Sequence, residues 1–261
     1  VRATLAIDDP DDPRIADYRA VRERDLAGRA GKFVIEGEVP LRLAAARGRF
    51  ALASALLSDK RAALAEAIPE GVPVYVAAQP VLEAIAGFPI HRGVLAIGVR
   101  GEALDAAALL AGLPARALVV ALIGLTNHDN VGGIFRNAAA FGAHAVLLDA
   151  QTCDPLYRKA IRVSAGGALI VPFARVGGPL ETLAVLEAAG FTPLALSPRG
   201  ADTFATLARP DRAALVLGTE GPGLPDAVLA RARTLRIPMA GDFDSLNVAV
   251  TSGIALAALS G

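Results

Sequence analysis

The chain has 261 residues, 54% of them apolar, with 26 basic and 26 acidic side chains. That apolar content can bury a substantial core, which excludes a generally disordered chain, and the length allows one large domain or two ordinary ones. Formal charge is zero overall and in both halves (15 of each sign in 1–117, 11 of each in 118–261), which excludes a nucleic-acid binder working through bulk positive charge but leaves room for a local basic face.

The first 30 residues are expected to form a leader with a helix over about 14–26 that carries Arg14, Arg19, Arg22, Arg24 and Arg29. From Lys32 onward, short β-branched runs alternate with alanine-rich stretches, the pattern of an α/β chain. KFVIEG, ALASALLS, VPVYVAA and GVLAIGVR predict four strands separated by helices, with Ser58-Asp59 and Ala78-Gln79 as helix entries. The tract 101–117 predicts a partly helical linker between a small α/β domain at 31–100 and a second domain at 118–261.

The second domain opens on RALVVALIG, a wholly apolar run of strand length, expected at the centre of a parallel sheet. The loop LTNHDNVGG, the helix IFRNAAAFG and the strand AVLLD follow, with Gly142 ending the helix. Further strands are predicted near 170–173, 191–196, 214–217 and 234–237, and helices near 156–163, 180–189, 226–231 and 246–259. The longest charge-free tract, 245–261, is 17 residues long and contains Ser245, Asn247, Thr251 and Ser252, so it predicts a buried helix and no membrane span. No signal peptide is visible before the acidic run 8–12. A single Cys153 and three His predict neither a disulfide nor a metal site, and a reducing cytoplasm is the expected compartment.

Only 3 Lys accompany 23 Arg, which together with abundant alanine reads as a GC-rich coding bias. Against that bias the scarce residues carry information. The four asparagines are Asn127, Asn130, Asn137 and Asn247, three of them in one segment.

Ligands of open parallel sheets sit at the carboxyl ends of the strands, and three such ends have unusual loops. In 126–136, Asn127 and Asn130 are suited to a tight turn and Gly132-Gly133 to close backbone approach. Arg136 is expected on the first turn of the following helix, near N–H groups suited to an anion, and partly buried beside Ile134, Phe135 and Ala138, while His128 is expected to be an exposed loop residue. In 217–226, LGTEGPGLPD, three glycines, two prolines and one carboxylate, Glu220, fall within the first nine residues, without GxGxxG or a P-loop. In 237–247, a polar stretch with Ser245 and Asn247 precedes a helix that is apolar nearly all round. Each loop also has an ordinary structural reading: a capped helix start for the first and third, a stiff turn for the second. A Rossmann-like oxidoreductase or methyltransferase, with Asp149 reaching a ribose, is a rival that lacks the glycine fingerprint. A non-catalytic RNA-binding protein is another.

Taken together and in this order, NHDNVGGIFRNAAAFG, LVLGTEGPGL and IPMAGDFDSLNVAV resemble the three motifs of the SpoU/TrmH family of RNA ribose 2′-O-methyltransferases, across 118–261. Residues 31–100, with HRGVLAI, resemble in layout the small α/β RNA-binding domain that often precedes that catalytic domain, although His91-Arg92-Gly93 stands where the family commonly has His-Gln-Gly. The resemblance implies a SPOUT fold, a parallel α/β sheet whose C-terminal segment threads a trefoil knot. It implies S-adenosyl-L-methionine as cofactor, held around Leu217, Gly218, Thr219, Gly221, Ile237, Met239, Leu246 and Asn247. It further implies a homodimer packed through the closing helix, and a catalytic group of Asn130, Arg136, Glu220, Ser245 and Asn247.

By the same resemblance, Arg136 meets the ribose and its phosphate. Deprotonating an ordinary arginine at pH 7 costs about 8 kcal/mol, so phosphate anchoring with assistance in proton transfer is the expected role. The implied substrate is RNA, with a ribosomal guanosine first and tRNA second. Contacts to it are expected from the basic stretches 14–32, 42–49 and 157–162.

Overall fold

The computed structural model describes residues 2–19, 31–47, 49–90, 92–241 and 245–260. Two compact units are present: Val1–Glu102 with Leu156–Ile170, and Ala103–Pro155 with Val171–Gly261. The segment after residue 155, read from the sequence as part of an unbroken second domain, thus groups with the first unit.

In the first unit, β1 (Leu5–Ala6) precedes a 3-10 helix, Pro13–Tyr18. Then come β2 (Lys32–Glu36), α1 (Glu38–Arg47), β3 (Ala51–Ser58), a 3-10 helix at Asp59–Ala67, β4 (Val74–Ala77), α2 (Gln79–Ala86) and β5 (Val94–Val99). The sheet order is β1-β4-β3-β5-β2, with β1 and β3 parallel to β4, and β2 and β3 antiparallel to β5. One face buries Val34, Leu56, Tyr75 and Leu95 against Leu82 and Ile85 of α2.

The stretch read as a leader is part of this core. It supplies β1 and the fully buried Ile15 and Tyr18, whose hydroxyl lies 2.7 Å from Ser54 Oγ. Instead of the α-helix expected from residue 14, its described part is the short 3-10 segment, entered through Asp12, whose carboxylate accepts the Arg14 N–H at 2.8 Å, and Pro13. The rest of that expected helix, with Arg22, Arg24 and Arg29, lies outside the described residues, as do His91 and the polar run 242–244.

In the second unit, α3 (Ala106–Ala111) leads into β6 (Ala117–Ile123), α4 (His128–Ala140) and β7 (Ala145–Leu148). The chain then contributes α5 (Arg158–Val163) and α6 (Gly167–Ile170) to the first unit. It returns as β8 (Phe173–Arg175), α7 (Pro179–Ala188), β9 (Thr192–Leu196), β10 (Asp202–Thr203), β11 (Arg212–Gly218), α8 (Asp226–Arg231), β12 (Arg233–Arg236) and α9 (Val248–Leu259). The strand expected at 170–173 begins at Phe173 instead. The apolar run before it closes a helical turn with Ala168 and Leu169 buried, and short apolar runs do not distinguish the two states.

All pairings in this sheet are parallel, in the order β10-β12-β9-β11-β6-β7-β8. Every residue of β6 is buried, as the apolar run predicts for a strand covered on both faces. Chain order runs outward from β6 through β7 to β8, then crosses to the other side for β9 to β12. That reversal beside β6 is where an open parallel sheet leaves a crevice. Register aligns the exits: Gly218 sits opposite Ile123, Val216 opposite Ala195, and Leu235 opposite Leu196. Four loops therefore leave the sheet at one level.

Candidate functional site

At that edge lies a cavity of about 420 Å³, within the size range of small-molecule sites. The loop after β11 contributes Leu217, Gly218, Thr219, Glu220 and Gly221 to its lining; the segment after β12 contributes Ile237 and Met239; the approach to α9 contributes Ser245, Leu246 and Asn247. All eight positions that the family resemblance assigned to the cofactor therefore face one cavity. Leu196, Ser197 and Pro198, after β9, line it too and were missed. Their loop has no unusual composition, and only the parallel register of β9 beside β11 brings them there.

The loop after β11 folds back on its own strand. Gly223 N–H donates to Thr219 O at 3.2 Å, and a Cβ on Gly218 would lie 2.7 Å from Gly223 C and Leu224 N, so only glycine permits this turn.

Asn247 is the node of the site. Its Oδ1 accepts from the backbone N–H groups of Ala249 (2.9 Å) and Val250 (3.3 Å), capping α9. Because those backbone groups can only donate, the amide nitrogen must point the other way. It donates to Asn130 Oδ1 at 2.9 Å and to Glu220 Oε1 at 2.7 Å. One side chain thus ties the first turn of α4, the loop after β11 and the start of α9. Asn130 is 6% exposed, whereas Glu220, Ser245 and Asn247 are exposed to the cavity mouth.

Arg136 is not at this node. The helix starts at His128, just after Asn127, whose Oδ1 accepts Asp129 N–H at 2.8 Å, so Arg136 lies in its third turn instead of its first. It is exposed instead of partly buried and does not line the cavity, while His128 is a half-buried helical residue. The cause is Gly132-Gly133, which lies inside α4. A Cβ on Gly133 would come within 2.7 Å of Ala249 Cβ, so this glycine serves close packing against α9, and the helix runs through it. Asn137 Nδ2 fastens the same seam by donating to Ala249 O (2.7 Å) and Ser252 Oγ (2.9 Å).

Asp149 is spent on structure, which removes the support for the dinucleotide rival. It is 1% exposed, and its carboxylate accepts Gly124 N–H (3.0 Å), Thr152 N–H (2.8 Å) and the Thr152 hydroxyl (2.7 Å). Among the described residues no group of three or more His, Cys, Asp or Glu is arranged to hold a metal, and no helix is long and apolar enough to cross a membrane.

The cavity suits a ligand of mixed character: apolar walls at Leu196, Leu217 and Ile237, backbone amides of glycine-rich loops, and one carboxylate at the rim.

Comparison with known proteins places this geometry. Residues 117–257 match the SpoU rRNA Methylase family. An uncharacterized tRNA/rRNA methyltransferase of Mycobacterium bovis is 38% identical across 95% of this chain and 88% of its own length. The 23S rRNA (guanosine-2′-O-)-methyltransferase RlmB of Ralstonia nicotianae is 34% identical across 71% of this chain and 76% of its own. Among solved structures, AdoMet-bound AviRb, a SpoU methyltransferase of Streptomyces viridochromogenes, superposes with a TM-score of 0.82 at 24% identity, covering 95% of this chain and 98% of that one. An AdoMet-bound rRNA methyltransferase of Sinorhizobium meliloti gives 0.81 at 23% identity, covering 98% and 97%. These two likenesses show the α/β fold, and by the family match over more than half of the chain and the 38% identical relative the chain belongs to the SpoU rRNA methylase family of RNA methyltransferases.

Proposed function

We propose that the protein methylates a ribose 2′-hydroxyl of ribosomal RNA, with S-adenosyl-L-methionine as donor and the cavity beside Asn247 as the donor site. The observation that carries this reading is the Asn247 node, which draws the three family motifs around one largely apolar cavity. The bound cofactor supplies a methyl group already activated on a sulfonium. The chain's own residues then have to position the donor and the acceptor and to help a hydroxyl proton leave. Glycine-rich backbone at Gly218 and Gly221, with Leu217, Ile237, Met239 and Leu246, holds the donor. Asn130, Glu220, Ser245 and Asn247 frame the reacting end. Arg136 anchors the RNA phosphate and assists proton departure.

Arg136 lies outside the cavity lining of its own chain, and α9 exposes an apolar stripe at Val250 (54%) and Ile254 (42%) that continues from Leu246 (39%). Both features support a homodimer through α9 in which Arg136 serves the other protomer's cavity. Convergence of 217–226 and 237–247 on one site supports the trefoil knot, and residues 31–100 act as the RNA-binding domain. The relative named as a 23S rRNA enzyme supports ribosomal RNA, and the tRNA/rRNA names of longer matches keep tRNA as the second substrate. The single half-buried Cys153, whose thiol burial raises to a pKa of about 11, suits the cytoplasm.

Transfer of labelled methyl from S-adenosyl-L-methionine to total rRNA and tRNA, followed by nucleoside analysis, tests the reading. The expected product is 2′-O-methylguanosine from rRNA; no transfer to either pool overturns it. Mixing Arg136→Ala with Glu220→Ala protomers restores activity if the site is shared between subunits, and leaves the mixture inactive if it is not.

A further inference from the structure

The three residues Glu36, Gly37 and Glu38, which join β2 to α1, gather arginines from four separate stretches of the chain, all in the first unit. Arg158 and Arg162, one turn apart on α5, pair with the two oxygens of Glu36, the second at 3.4 Å. Arg42 of α1 and Arg61 of the second 3-10 helix divide the oxygens of Glu38 between them, at 2.9 and 3.3 Å. Arg92 lies across Gly37, its Nη1 3.5 Å from where a Cβ would stand. Four guanidiniums thus pair with two carboxylates and a fifth lies across the glycine between them, a local excess of +3 in a chain whose formal charge is zero. By contrast, Arg231–Glu187 and Arg233–Asp202 are one-to-one pairs.

The carboxylates hold the guanidiniums in place without consuming them. The Glu36 side chain is 10% exposed, whereas those of Arg42, Arg61 and Arg162 remain 53%, 49% and 40% exposed. Arg158 is fixed further by its guanidinium carbon, 4.6 Å from the centre of the Phe88 ring. Each guanidinium carries five N–H donors, and the single contacts made here leave most of them for another anion. Preorganised forks of this kind lose little freedom when they bind a phosphate.

We propose that the Glu36–Glu38 turn and its five arginines form the surface that grips the phosphodiester backbone of the RNA substrate. This rests on the reading of the protein as an RNA methyltransferase. It selects among the basic stretches seen in the sequence: Arg42 and the 157–162 stretch are joined on one surface by Arg61 and Arg92, which no local run of charge announced. Phosphate contacts of this type read backbone shape and position the substrate without selecting a base.

The test is fluorescence anisotropy with a fluorescein-labelled 20-base-pair RNA hairpin, titrated between 50 and 300 mM KCl, comparing wild type with the double variant Arg42→Gln/Arg162→Gln. Loss of two phosphate contacts lowers affinity roughly tenfold near physiological salt and reduces the slope of log K against log salt by about 1.5. Calorimetric affinity for S-adenosyl-L-methionine and kcat at saturating RNA stay at wild-type values, while KM for RNA rises. Arg231→Gln, which removes one exposed, ion-paired arginine elsewhere, leaves RNA affinity within twofold. A second pair, Arg61→Gln/Arg92→Gln, spares Glu36 and should give the same loss, which keeps the test decisive if the first variant melts early. The surface is overturned if both double variants bind RNA like wild type, if wild type does not bind the hairpin at 50 mM KCl, or if poly-L-glutamate binds as tightly with the same dependence on Arg42 and Arg162. A wild type that methylates RNA while both double variants bind normally removes this surface alone; a wild type that methylates no RNA removes the enzymatic reading beneath it.

Discussion

In the seven-stranded unit every strand ends at the same edge, and the polar groups collected there are two amides, one carboxylate, the hydroxyls of Ser197, Thr219, Ser245 and Thr251, and the backbone of glycine-rich loops. In the five-stranded unit the strands run both ways, and the polar groups gathered at Glu36–Glu38 are five guanidiniums and two carboxylates. The difference follows from topology. Parallel strands in register bring several loops to one level, so short side chains and backbone suffice to enclose a cavity with little net charge. A mixed sheet offers no such common edge, and its recognition surface is assembled from long side chains lying on the outside. Enclosed dipoles suit a small donor of low net charge, and exposed charge suits a polyanion screened by salt.

The comparison breaks most sharply at Asn247. Asn247→Asp keeps the acceptor that caps α9 but loses both donations and sets a second carboxylate beside Glu220. We expect kcat to fall about 100-fold or more, as the loss of a hydrogen bond to a charged group implies, with the melting temperature little changed; unaltered turnover would refute the node. Gly133→Val tests the seam behind it. The added side chain meets Ala249, and chemical denaturation should report a loss of about 1–3 kcal/mol.

Asp149→Asn replaces an acceptor-only carboxylate with an amide, which has to turn an NH2 donor toward the N–H of Gly124 or of Thr152. The expected cost is about 1–3 kcal/mol, again by denaturation, with no new affinity for NAD. Salt sharpens the contrast between the two units: calorimetric binding of S-adenosyl-L-methionine should change less than twofold between 50 and 300 mM KCl, over which RNA binding falls steeply.

The smallest effect lies at Asp12 in the first unit, where the hydrogen bond from Arg14 holds the carboxyl at about 2, below its ordinary value of 3.8. Since the folded pKa is the lower one, the pair contributes stability above about pH 3.8 and loses it as pH falls through 2. Asp12→Asn should therefore melt slightly below wild type at pH 6 and level with it near pH 1.5. An unchanged difference at the lower pH would assign the effect to the 3-10 helix cap alone.

Much of the second unit was legible before any coordinates. A strand with no polar residue belongs in the middle of a sheet, and β6 is there. Loops rich in glycine, proline and asparagine at successive strand ends mark a site, and their residues share one cavity. Gly132-Gly133 misled because a glycine pair looks the same whether it opens a loop or lets two helices touch, and the displaced Arg136 followed from that one ambiguity. Leu196 to Pro198 carried no signal at all, since what makes them cavity walls is the strand beside them.

By itself the sequence determined the alternation of strands and helices, the central strand, the three polar loops and the family, because each depends on residues close together along the chain. Tertiary structure alone decided which partners the Asn247 amide takes, which unit receives residues 156–170, and that arginines 42, 61, 92, 158 and 162 meet on one turn. Those outcomes join residues up to 126 positions apart. Such pairings are set by strand register and helix packing, and no local pattern of residues encodes them.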